Sequence, residues 1–374
     1  MRVLLSTIGS RGDVQPLVAL GVRLRELGHE ARLCAPPDFR AFAGEHGLPF
    51  VPVGPELRTG ARAVDPRTAV ADMVAGQFAA LRTAAADCDV LVGCNQLQVA
   101  APSVAESLGI RYVFADYSPI AFPSPHHLPP RLPGQRPGED PATAWAHEAE
   151  RRTATFGPAL NEHRAAAGLD PVTDVLAHIL TDRPLLAADP ALAPAPPDLA
   201  ATQTGAWLLP DDRPLAPEVS AFLDDGEPPV YVGFGSTLAP NTTGAAAVGA
   251  VRALGRRAIV LRGWGGLAPE PAPDCLTIAE ANLPALFGRV AAVVHHGGAG
   301  TTTAAALARA PQVVVPQHYD QHYFAERVTA LGIGATGELT EALARALDPA
   351  VAARARAFEV RTDGALVAAA SVSG

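Results

Sequence analysis

Residues 293–303 read Val-Val-His-His-Gly-Gly-Ala-Gly-Thr-Thr-Thr, followed by an alanine-rich segment at 304–309. An apolar β-branched run, a glycine-rich turn and an opening helix are the parts of an anion site. Glycine lets backbone approach a ligand without a Cβ in the way, and the free N–H groups of a first helical turn favour negative charge. Thr301 and Thr302 add hydroxyl donors, His296 adds an imidazole donor, and no carboxylate lies between Val290 and Ala310 to repel a phosphate. The expected diphosphate contacts are His296, Gly297, Gly298, Ala299, Gly300 and Thr301, with His295 beside them. Turns of this composition also occur without a ligand. Paired histidines raise the question of metal, but no third ligand stands at useful spacing, so none is expected.

A second chemical position lies at Gly9-Ser10-Arg11-Gly12-Asp13. This turn lacks the third glycine of a dinucleotide fingerprint, and a carboxylate there repels a pyrophosphate while suiting a proton acceptor. The plainer reading of Asp13 is a helix-start carboxylate favoured by the dipole. Three more strand ends carry polar groups: Gly235-Ser236-Thr237, Arg262–Gly266 and Gln317–Gln321. Asp320 and Gln321 suit the neutral hydroxyls of a sugar, since a carboxylate accepts and an amide both donates and accepts. Asp320 also reads as a helix N-cap. Asp87-Cys88-Asp89 has a spacing that metal-dependent sugar transferases of another fold use, but it falls between a helix and a strand, where solvated turn residues are usual.

These positions need strands that end at one edge and helices that start there. Apolar runs at Val3–Ile8, Glu30–Cys34, Pro49–Val53, Val90–Gly93 and Arg111–Ala115 alternate with helical patterns at Pro16–Leu27, Asp38–Glu45 and Val70–Ala86, which predicts a doubly wound parallel sheet. Cys94-Asn95-Gln96 is a polar strand end. The proline-rich stretch Ser118–Pro141 is expected to be an irregular functional loop. Helices are expected at Ala142–Ala167 and from Pro171, and a short strand at Leu185–Ala188. A second series follows: strand Val230–Phe234, helix Thr243–Leu254, strands Ala258–Leu261 and Leu276–Ile278, helix Leu283–Phe287, strand Val313–Pro316 and a helix from His322 to Leu331. The expected division is an acceptor-binding domain at 1–205, a linker at 206–226, a donor-binding domain at 227–358, and a helix at 359–374 returning toward the first domain.

Composition narrows the class. The 374 residues exceed one ordinary core, hydrophobic residues make up 48% and charged residues 18%, and the formal net charge is −9. Every basic residue is arginine. An acidic chain of this kind is not expected to bind nucleic acid. The four cysteines form no C-x-x-C pair, and no apolar run reaches the roughly 18 residues of a membrane helix. A cytoplasmic protein with small-molecule substrates, monomeric or weakly homodimeric, is expected.

The motifs GSRGDVQP at 9–16, QTGAWLLPDDRPL at 203–215, PPVYVGFGS at 228–236, FGRVAAVVHHGGAGTTT at 287–303 and APQVVVPQ at 310–317 together resemble the glycosyltransferases that decorate glycopeptide-antibiotic aglycones. The resemblance covers nearly the whole chain. It implies the GT-B fold, two Rossmann-like domains facing across a cleft, and transfer of a sugar from a dTDP- or UDP-sugar to an aglycone hydroxyl, with inversion and without metal or other cofactor. On the positions that match, it implies Asp13 as general base and His296, Gly298, Ala299, Gly300 and Thr301 on the leaving diphosphate. Ser236, Ser10, Arg11 and Gly12 are implied as added contacts, Asp320 and Gln321 on the donor sugar, and Trp264 with Arg262 and Ala281 near the nucleobase. Asp320 is a second acid–base candidate. The connections after Gly334 and at 358–360 run shorter than in that family. A nucleotide-sugar epimerase of the same fold, and a non-catalytic auxiliary protein, are the competing readings; a Rossmann dehydrogenase is disfavoured by Asp13.

Overall fold

The computed structural model describes residues 1–58, 66–130, 139–237 and 241–374. In chain order the first half contains β1 (Arg2–Thr7), α1 (Arg11–Glu26), β2 (Glu30–Ala35), α2 (Arg40–Glu45), β3 (Phe50–Pro52), α3 (Pro66–Ala85), β4 (Val90–Cys94), α4 (Ala101–Leu108) and β5 (Arg111–Asp116). It continues through α5 (Pro141–Ala166), α6 (Val175–Ile179), β6 (Leu185–Leu186) and β7 (Thr202–Gln203). The second half contains α7 (Pro217–Asp224), β8 (Val230–Val232), α8 (Asn241–Ala253), β9 (Ala258–Leu261), β10 (Cys275–Ile278), α9 (Leu283–Phe287), β11 (Ala292–His295) and α10 (Ala299–Leu307). β12 (Gln312–Val314), α11 (Gln321–Ala330), β13 (Gly334–Thr336), α12 (Leu339–Ala346), α13 (Pro349–Ala357) and α14 (Gly364–Ser373) complete it.

Two parallel sheets result, with orders β3-β2-β1-β4-β5-β6-β7 and β10-β9-β8-β11-β12-β13. This is the doubly wound architecture expected. In each sheet the order reverses beside the first strand, β1 against β4 and β8 against β11, and a crevice opens there beyond the carboxyl ends. The GSRGD turn after β1 and the glycine-rich turn after β11 sit at those two crevices. β1 and β11 are buried along nearly their whole length, as strands covered on both faces must be.

Several boundaries differ from the sequence reading for identifiable reasons. Helix α1 starts at Arg11 rather than Pro16, because Ser10 caps it and Asp13 bonds back to the Ser10 N–H at 2.9 Å. Asp13 therefore belongs to the first helical turn. The expected linker at 206–226 contains α7, which Pro217 initiates and which buries Val219 and Leu223 against the second sheet's helices. The helix expected from Pro171 begins at Val175, capped by Asp174 through Ala177 N at 3.0 Å. Within the proline-rich stretch, Pro119–Ala121 forms a single 3-10 turn, and residues 131–138 lie outside the described residues.

The halves are joined by packing and by main-chain bonds. Arg327 of α11 donates to the carbonyls of Leu192 (2.8 Å) and Ala191 (3.1 Å), while Phe324, Ala325 and Val328 share a core with Leu192 and Ala193. Helix α14 buries Ala365, Ala368, Ala369 and Val372 in the core that α1 also lines. Asp189 is fully buried and accepts from Arg361 N at 2.8 Å, which ties the segment before α14 to the first half.

Candidate active site

Asp13 is half-buried at the head of α1. Its Oδ2 accepts from Ser10 N (2.9 Å) and its Oδ1 from Asn95 Nδ2 (3.0 Å). Gly9 is required beside it, since a Cβ there would fall on the Asp13 carboxylate. Burial raises the Asp13 carboxyl above its ordinary value, and the bonds from Asn95 and Ser10 oppose that rise. Ser10 is half-buried and Gly12 exposed. Arg11 lies along the helix, bonded to Gln15 Oε1 at 3.0 Å and stacked 4.5 Å over Phe42, within electrostatic reach of Glu280 in the facing half.

On the opposite wall, Gly298 caps α10 without a side-chain bond, and the first intrahelical bond is Thr302 N to Gly298 O at 3.0 Å. The N–H groups of Ala299, Gly300 and Thr301 precede that bond and are the donors an anion would use. His296 is half-buried, and its Nδ1 is buried with no hydrogen-bond partner among the described residues. Burial, then repulsion from His318, depress this imidazole to about 4, so at neutral pH it is an uncharged donor or acceptor. Gly297 has φ +93, where a Cβ would meet Val314 and the Gln321 carbonyl; a Cβ at Gly298 would lie 2.5 Å from His296 Nε2. The turns after β8 and β9 close in alongside: Trp264 N donates to Gly235 O at 2.9 Å, and Gly263, at φ +56, passes against that same carbonyl. Ser236 is half-buried at the end of this turn.

Four of the expected side chains are already engaged by protein. His295 is fully buried, with Nε2 on Gln312 Oε1 (2.9 Å) and Nδ1 accepting from Gly297 N (3.1 Å), so both ring nitrogens are taken by protein and the ring shapes the turn. Thr302 is no donor to the anion site, because its hydroxyl bonds back to Gly298 O at 2.9 Å. Gln321 is buried, and its Oε1 accepts from Gln317 N (2.8 Å) and His318 N (3.3 Å), bracing the loop after β12 rather than offering that oxygen to a sugar. The Trp264 ring stacks on Phe39 of the facing half, with centroids 6.3 Å apart and planes at 26°, so it bridges the two halves. Arg262 is exposed, its N–H on Ile278 O at 3.0 Å, and Ala281 packs against the core around α9. The Asp87-Cys88-Asp89 turn is remote: Asp87 pairs with Arg2 (3.0 Å) and Arg32 (3.1 Å), and Asp89 accepts from Arg2 N.

Asp320, half-buried before α11, is pushed up to about 7 by burial and by the charge of Asp13. A third carboxylate, Asp116 at the end of β5, is also pushed up to about 7, first by burial and then by Asp320 and Asp13. Asp116 Oδ1 accepts from Tyr117 N (2.7 Å) and Ser118 N (3.1 Å). Sequence reasoning ended that strand one residue early and missed Asp116; a carboxylate closing a buried strand was the available signal. One cavity touches Gly12, Pro16 and Tyr117 on one wall and Ala299, Gly300 and Thr303 on the other, so the base turn and the anion turn share a space. Among the described residues no group of three His, Cys, Asp or Glu is placed to hold a metal ion, and no helix is long and apolar enough to cross a membrane.

Two doubly wound parallel sheets, with the turn that carries Asp13 and the first turn of α10 meeting at one cavity, make the GT-B architecture. Residues 3–117 match the glycosyltransferase family 28 N-terminal domain, and residues 271–371 match the C-terminal domain of erythromycin biosynthesis protein CIII-like proteins. The chain is 49% identical to the vancomycin aglycone glucosyltransferase of Amycolatopsis orientalis, over 99% of this chain and 96% of that one. It is 45% identical to the dTDP-epi-vancosaminyltransferase of the same organism, over 96% and 91%. The solved structure of the glycosyltransferase VinC in complex with dTDP superposes with a TM-score of 0.67 at 22% identity, over 100% of this chain and 98% of that one. The chain belongs to the vancomycin-group glycosyltransferases.

Proposed function

We propose that the protein transfers a sugar from a dTDP- or UDP-sugar to a hydroxyl of a glycopeptide aglycone, inverting the anomeric centre and using no metal. The observation that carries this is a cavity that Gly12, next to Asp13, lines on one side and Ala299 and Gly300 of α10 on the other. Asp13 takes the proton from the acceptor hydroxyl as its oxygen bonds to the anomeric carbon. The bond from that carbon to the diphosphate oxygen breaks on the opposite face, and the electron pair leaves with the diphosphate. The N–H groups of Ala299, Gly300 and Thr301 and the neutral His296 receive this growing charge with fixed dipoles. Gly12 borders the same space, and in this reading Ser10 and Ser236 add contacts to the diphosphate and Asp320 takes the donor sugar.

In this reading the acceptor domain comprises residues 1–205 and the donor domain 227–358. Similarity to the vancomycin aglycone glucosyltransferase supports a glycopeptide acceptor, and the dTDP-epi-vancosaminyltransferase and the dTDP bound by VinC support a dTDP-sugar donor. The test is incubation of the purified protein with dTDP-glucose or UDP-glucose and vancomycin aglycone in excess chelator. Nucleotide release together with a hexose mass increment on the aglycone is expected. Aglycone-independent conversion of the sugar nucleotide would point to the epimerase reading, and tight nucleotide binding without turnover to the auxiliary one.

A further inference from the structure

On sequence, Cys94-Asn95-Gln96 is only a polar strand end. In the structure Asn95 is the side chain that reaches the carboxylate of Asp13. Its Nδ2 donates to Asp13 Oδ1 at 3.0 Å and also lies 3.0 Å from Thr7 Oγ1 and 2.9 Å from Ile8 O. Its Oδ1 accepts from Leu97 N at 2.9 Å, and its main-chain N–H donates to Ala115 O at 3.1 Å. The backbone stands at φ +66, a left-handed conformation that asparagine tolerates better than most residues and that is held at a cost. Side-chain bonds in three directions and this backbone leave the amide one orientation.

The groups facing Asp13 make that orientation matter. Asp116 comes from β5, Asp320 from the head of α11, the Cys94 thiol from β4 and the Tyr117 phenol from the turn after β5. All four repel a second negative charge when ionised. Tyr117 Oη donates at 2.6 Å, but to the main-chain carbonyl of Asp13 and not to its carboxylate. Asn95 Nδ2 donates to Oδ1 and Ser10 N to Oδ2, and the Ser10 side chain and the Asp13 N–H also favour the charged carboxylate. Of these, only Asn95 reaches the carboxylate from outside the turn and helix that carry it.

We infer that Asn95 is the positioning residue for Asp13: its amide pins one carboxylate oxygen and selects the ionised, proton-accepting form among three neighbouring carboxyl groups. The inference rests on the reading of Asp13 as the base. Asn95→Gly keeps the left-handed backbone and removes the donor. Asn95→Asp keeps the shape and the bond from Leu97 N but replaces the donor with an acceptor. With vancomycin aglycone and whichever of dTDP-glucose and UDP-glucose the parent turns over, each variant should lose about tenfold or more in kcat/KM for the aglycone at neutral pH. The acid limb of the pH profile should move to higher pH, further for Asn95→Asp than for Asn95→Gly, because the ionised carboxylate has lost a donor or gained a like charge. Donor Kd should not change. An acid limb that stays with the parent's while only Tm falls overturns the inference and makes Asn95 a structural residue. Should Asn95→Gly fail to fold, Asn95→Asp decides by the same limb. If Asp13→Asn retains turnover, the base reading itself fails; if Asp13→Asn is inactive and the limb does not move, only the role of Asn95 falls.

Discussion

Asp116 can be tested without turnover. Its carboxyl is pushed from an ordinary 3.8 up to about 7, first by burial and then by the charges of Asp320 and Asp13. The folded chain therefore binds this proton more tightly than the unfolded chain. Its stabilising contribution is complete below about pH 4 and is lost as pH rises through about 7. About three pH units at 1.36 kcal/mol each bound the loss at about 4 kcal/mol at pH 8, and solvent at the open side of the cleft screens this to about 1–2 kcal/mol. Asn at this position can keep both bonds that Oδ1 accepts from Tyr117 N and Ser118 N, and carries no charge. Asp116→Asn should therefore raise the apparent Tm by about 1–3 °C at pH 8 and leave it nearly unchanged at pH 4, measured by thermal scans of parent and variant at one scan rate. A Tm difference that is the same at both pH values, or a variant less stable at pH 8, would refute the claim that this carboxyl carries a burial penalty.

Two further substitutions probe the opposing walls. Gly9→Ala puts a methyl group on the Asp13 carboxylate, and the resulting displacement should lower kcat by about 10²-fold with donor affinity retained, read from steady-state kinetics and nucleotide titration. Gly298→Ala places a Cβ 2.5 Å from His296 Nε2 at the head of α10, so it should weaken donor binding by about tenfold or more and reduce the thermal protection that dTDP or UDP gives. Retained nucleotide affinity in Gly298→Ala would contradict the anion site.

The alternation of strands and helices was legible because parallel strands buried on both faces are short apolar runs, and the glycine turns after β1 and β11 marked the two crevices. The chemistry at those turns was legible from residue type: an acid in one and no acid in the other. Less visible was which polar groups turn inward. His295, Gln321 and Thr302 share their segments with exposed neighbours, and only the folded turn shows that their polar atoms are consumed by Gln312, by the main chain at 317–318 and by Gly298 O. Trp264 has the chemistry of a base-stacking residue, but the facing half supplies Phe39 first. Asp116 and Asn95 reach Asp13 from β5 and the turn after β4, a convergence that sequence distance conceals.

The transfer account depends most on the carboxylate of Asp13. The direct measurement is aglycone-dependent nucleotide release by Asp13→Asn beside the parent, with donor Kd determined by titration of the same preparations. The account predicts turnover reduced by roughly 10²-fold or more at unchanged donor Kd. Turnover equal to the parent's, with the same Kd, would contradict it.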